Sequence, residues 1–169
     1  MGRRHQLVLA LLTPVWTWPA LAGPPDEPAP PDTTAAEAWI PHDAVAALYQ
    51  ALSARDQAVD CAALATLSDE PAPALLEIIE NAAQPPWAPV RAAHCLVTEH
   101  PGFAQEPMRQ WVSDPALRGL TLLTLGLLDE VPVEIALDVA QHSLVGPHGP
   151  DARTRLPRSR HPELRALVE

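Results

Sequence analysis

The chain has no lysine. Eleven arginines carry all of its positive side-chain charge, against 21 acidic residues in 169. Binding a phosphate backbone needs clustered cations, so this balance argues against a nucleic-acid partner. Catalytic and metal signatures are missing as well. There is no His-Glu-x-x-His, no Cys-x-x-Cys, no Gly-x-Ser-x-Gly and no glycine-rich phosphate loop. Those spacings are what bring ligands, a nucleophile or backbone amides together on one side of an element. Signals for β structure are absent too: no run alternates β-branched and polar residues, and no glycine-bearing turn joins two apolar runs.

The first residues have a different plan from the rest. Arg3 and Arg4 precede the apolar run LVLALL, and small residues Ala20 and Ala22 stand two apart before Gly23. A basic start, a short apolar middle and an Ala-x-Ala end describe a secretory signal peptide over residues 1–22. Pro14 and Pro19 interrupt the segment, whereas a spanning helix needs about 20 mostly apolar residues. The expectation is cleavage before Gly23, export to a periplasm, cell envelope or exterior, and no stable membrane span afterwards. Cleavage removes two arginines and no acid, leaving nine against 21, a formal charge of −12. Residues 23–34, GPPDEPAPPDTT, hold five prolines in twelve positions. Proline fixes its own φ and lacks an N–H, so this stretch reads as a semi-rigid linker.

From Ala35 the apolar spacing is helical, and proline punctuates it. Pro41, Pro73, Pro107 and Pro132 each precede a periodic segment, and Pro89, Pro115 and Pro162 open a second set that alternates with the first. Proline is well tolerated in a first helical turn, where its missing donor would be unpaired anyway. Helix pairs that recur follow from this alternation. Aligning Val59-Asp60 with Val90-Arg91 gives a period of 31, and Arg91 to Arg118 gives 27. Arg118 to Arg165 is 47, because LVGPHGPDARTRLPRSR (residues 144–160) reads as a loop inserted between the last two helices. Such periods belong to arrays in which each pair buries its apolar face on its neighbours.

DPALRGLTLLTLGLL, WAPVRAAHCLV and HPELRAL share a proline-led start and an early arginine among apolar residues. They resemble the second helix of a HEAT-like repeat, and ALLEIIENAA is similar to a first helix. The resemblance covers residues 35–169. It implies an all-α fold, a right-handed α-solenoid of three to four HEAT-like helix pairs, and is nearly silent on function. The first repeat departs from the pattern, with Asp60 where the others carry arginine. The expected core draws on Leu75, Leu76, Ile79, Val90, Leu96, Leu117, Leu120, Leu123, Leu127, Ile135 and Val139.

In this frame Asp114 is a helix N-cap. Arg91, Arg118 and Arg165, recurring at one position, are expected to reach an acid or carbonyl of the preceding pair as staples between repeats; the alternative is a ladder gripping an anion. Cys61 and Cys95 are a candidate disulfide, favoured by export; the alternative is two small buried hydrophobes. The alignment sets them one turn apart on neighbouring helices, awkward for a bond. Trp87 and Trp111 either seal the seam between repeats or anchor a partner. His94 and His100 fall on opposite helix faces, and His142, His148 and His161 read as solvated loop residues, so no metal or other cofactor is expected. Glu77 and Glu80 read as a wet face. The function most consistent with these residues is an exported binding or scaffolding module for a protein partner. The alternatives are an enzyme or enzyme accessory of the HEAT-like lyase type, or a structural spacer.

Overall fold

The computed structural model describes residues 39–169; the expected signal peptide (1–22) and Pro-rich linker (23–34) lie outside the described residues. Among the described residues there is no strand. Nine α-helices follow in order: α1 (Asp43–Ser53), α2 (Cys61–Leu64), α3 (Pro71–Asn81), α4 (Trp87–Glu99), α5 (Pro101–Ser113), α6 (Arg118–Leu127), α7 (Val133–Val145), α8 (Gly149–Arg155) and α9 (Pro162–Ala166). Short 3-10 turns follow α2, α6 and α8, and one precedes α6. None of the described helices is long and apolar enough to cross a membrane.

Each long helix buries one stripe. Ala72, Leu75 and Ile78 line one side of α3, and Ala104, Met108, Trp111 and Val112 one side of α5. Spacings of three and four residues put these side chains on one face. In α4 the buried set includes Ala88, Ala92 and Ala93, small enough to let helices approach from more than one side. Accordingly α4 packs against α1, α2, α3, α5 and α6. Contacts run within pairs, α3 on α4, α5 on α6 and α7 on α8. They also run between alternate helices: α1 to α3, α5 to α7, α7 to α9, and α2 to α4 to α6 to α8. Between α3 and α5 the main connection passes through α4.

Three expectations need correction. Pro107 does not open a helix: α5 begins at Pro101, and Pro107 lies buried inside it. The apolar stripe from Ala104 through Met108 to Trp111 runs past it, and that burial outweighs a cost of about 3 kcal/mol for an interior proline. Residues 144–160 are not a loop insertion. They contain α8, which occupies the place beside α6 and α7, and Pro150-x-x-Arg153 repeats the spacing of Pro115-x-x-Arg118. α9, which carries the repeat phrase HPELRAL, instead packs on α7 and on the turn after α8. Finally, Val90 is 49% exposed rather than core. Leu75, Leu96, Leu127 and Val139 are buried as expected, while Leu76, Ile79, Leu117, Leu120, Leu123 and Ile135 are partly buried against the core.

Candidate functional site

Side chains at helix starts tie the helices together, some to backbone carbonyls and one to a carboxylate. Arg91, early in α4, donates to the carbonyl oxygens of Leu52 (3.1 Å), Ala54 (2.5 Å) and Arg55 (3.2 Å) at the end of α1. The last carbonyls of a helix lack intrahelical partners and carry partial negative charge, so a guanidinium suits them. Trp87 adds its indole N–H to Ser53 O at 3.2 Å, and its ring lies 5.9 Å from the Arg55 guanidinium. Arg118 grips Asp151 with two bonds, Nε to Oδ2 at 3.1 Å and Nη2 to Oδ1 at 3.0 Å. That partner is on α8, the following pair rather than the preceding one. Arg165 donates to Ser159 O (2.8 Å) and Arg160 O (3.2 Å), just upstream on its own chain. The three arginines therefore form no common ladder.

A bidentate ion pair between α5 and α7 has no signature in the sequence. Arg109 of α5 holds Asp138 of α7 through Nε (2.6 Å) and Nη2 (2.7 Å), and Gln105 adds a bond at 2.8 Å. Its spacing repeats nothing else in the chain, so periodicity gave no cue. Asp129 accepts from the Ser159 hydroxyl (2.5 Å) and the Arg160 backbone N–H (3.1 Å). The Arg109 guanidinium holds the Asp138 carboxyl below its usual range, and Arg118 does the same for Asp151. At Asp129 burial pushes upward, but the bonds from Ser159 and Arg160 prevail and the net shift is downward.

Cys61 and Cys95 form a disulfide with Cα atoms 5.1 Å apart. The expected offset of one turn does not arise, because the helix bearing Cys61 is only four residues long and Cys61 is its first. Asp60, the departure from the repeat pattern, is the N-cap of α2 and accepts from the Ala63 N–H at 3.1 Å. Asp114 likewise caps, accepting from the Ala116 N–H at 2.8 Å. Trp111 is 4% exposed and belongs to the core, so it offers a partner no surface; Trp87 is half-buried. His148 is not a solvated loop residue: it is buried, with Nε2 3.0 Å from Asp114 O. His161 is half-buried with Nε2 enclosed, and His142 is exposed. Glu77 pairs with His42 at 2.9 Å. Among the described residues no group of three His, Cys, Asp or Glu side chains is placed to hold a metal ion.

Open clefts lie among the described residues. The first, about 670 Å³, gathers His42, Asp43, Leu67, Asp69, Glu70 and Glu77 around the starts of α1 and α3. The second, about 630 Å³, runs beside the disulfide between Asp60, Cys61, His94, Glu99 and Glu130. The third, about 480 Å³, has Leu125, Leu128 and Leu164 in its lining and Arg155 and Arg158 at its rim. No family model matches the chain, and no curated protein or solved structure matches it either.

Proposed function

We propose that the chain is an exported binding module: a right-handed α-solenoid of HEAT-like helix pairs that presents its clefts and rims to a protein partner. The observation that carries this reading is the pattern of helix contacts. Three pairs pack within themselves, α3 with α4, α5 with α6 and α7 with α8, and most alternate helices meet as well, as stacked repeats require. Clefts open to solvent and rimmed by charge suit recognition of another protein's surface better than enclosure of a small reactant. Export is supported by the disulfide, which persists in oxidising compartments, together with the signal-like residues 1–22.

Affinity capture from the envelope fraction of the source cell tests the module. The expected result is a protein retained by the native chain and lost when Asp69, Glu70, Arg155 and Arg158, on the rims of the first and third clefts, are changed to alanine. Retention unaffected by those changes, or a chain found in the cytoplasm with Met1 intact, defeats the proposal.

A further inference from the structure

The ties described above define two edges of the helix array. At one edge α1 ends beside the start of α4, through Trp87 and Arg91, and the Asp114 carbonyl meets His148 before α8. The opposite edge gathers the starts of α1 and α3, the turn from α4 into α5, the end of α6 and the turn from α8 into α9. Asp129 bonded to Ser159 and Arg160 belongs to it. The first and third clefts both open on this second edge, at its two ends.

Its charges are arranged with opposite sign. At the first-cleft end stand Asp43, Asp69 and Glu70; at the third-cleft end stand Arg155 and Arg158, and none of these five forms an ion pair with another described residue. Asp129 also lines the third cleft, where its carboxylate is taken up by Ser159 and Arg160. Apolar side chains lie exposed along the same edge: Ile40 (85%), Leu67 (43%) and Phe103 (44%). Phe103 is the third residue of α5, between the two charged ends in the order of the helices.

We infer that this edge is a homodimer interface, with a second copy of the chain docked antiparallel across a two-fold axis near Phe103. The inference rests on the binding-module reading and names its partner. An edge that is acidic at one end and basic at the other matches itself only when reversed. Reversal then sets each acidic cleft against the partner's arginine cleft, so one contact is made twice and the assembly closes at two copies, as isologous contacts do. It also brings Phe103 of one copy onto Phe103 of the other, covering apolar surface at the centre of a charged rim, the usual layout of an interface. Complementary charge matters here for orientation: parallel docking would set acidic end against acidic end and arginine end against arginine end.

Sedimentation equilibrium of the purified chain tests this. A dimer is expected that does not grow further with concentration. Phe103→Glu, the pair Arg155→Glu with Arg158→Glu, and the pair Asp69→Arg with Glu70→Arg should each weaken dimerisation by roughly tenfold or more, as loss of central or paired interface groups does. Combining both charge reversals in one chain should restore the dimer. Because the combined variant contains every change in both pairs, its recovery separates loss of the contact from loss of the fold. A monomer throughout, an open-ended assembly, a dimer indifferent to Phe103→Glu, or no recovery in the combined variant overturns the interface. A monomer that still captures a different envelope protein overturns the second copy as partner and leaves the module reading standing.

Discussion

Thr121 and Thr124 lie one turn apart in α6, both fully buried, and their hydroxyls fare differently. Thr121 Oγ1 donates to Trp111 O at 2.7 Å and lies 3.2 Å from Leu117 O. Thr124 Oγ1 has no hydrogen-bond partner among the described residues. A bonded buried hydroxyl is worth about 1 kcal/mol, whereas an unpaired one carries its desolvation cost without return. Thr121→Val should therefore lower unfolding free energy by about 1 kcal/mol, and Thr124→Val should leave it unchanged or raise it; urea titration of both variants checks the contrast. The sequence did not reveal these two residues. The leucines of α6 drew attention, yet Leu120 and Leu123 are only partly buried, because the helix turns its threonine face inward. Asp114 was legible as a cap because capping depends on neighbours two or three positions away. Arg109 with Asp138 was not, because only the packing of α5 on α7 brings them together.

α2 has little packing of its own. Only Leu64 is buried in the run from Asp56 to Glu70, and the disulfide fastens this run to the fully buried Cys95 of α4. Closing a loop with this 34-residue separation stabilises by roughly 3–4 kcal/mol on the chain-entropy estimate. Reduction should lower stability by about that amount and free the segment. Trypsin provides the readout: with no lysine present, its only described sites flanking this run are Arg55 and Arg91, and Arg55 O is held by Arg91. Cleavage after Arg55 should quicken on reduction, and an unchanged rate would mean that α2 holds without the bond. Proline-led starts and apolar stripes made most long helices readable in advance. The prolines and glycines of residues 144–160 suggest a loop, while Gly149 and Pro150 in fact stand at the first two positions of α8. Proline at a helix start and proline in a loop look alike in one dimension.

Among the described residues the two halves differ in the chemistry of their ties. In residues 43–99 Arg91 and Trp87 hold carbonyl oxygens, a disulfide adds to them, and His42 pairs with Glu77. In residues 101–169 Arg165 and His148 also meet carbonyls, but three long-range ties rest on Asp129, Asp138 and Asp151. Each of these carboxyls titrates lower in the folded chain than in the unfolded one, where aspartate lies near 3.9. As pH falls, the unfolded state therefore takes up protons first. The stabilisation is fully present above the unfolded value and is lost as pH drops through the folded ones. Acid should loosen the second half before the first. Hydrogen exchange at falling pH checks this, with earlier loss of protection in α5 to α9 expected and Asp138→Asn flattening the response of α5 and α7. An all-α fold was legible from periodicity alone; which half yields to acid was not, because it depends on which acceptor each arginine finds.

Residues 59–70 wall two of the clefts, Val59 to Ala62 the second and Thr66 to Glu70 the first. One strip of backbone, joined to α4 by the bond at Cys61, is thus a shared wall for both recesses, and breaking that bond withdraws support from the two together.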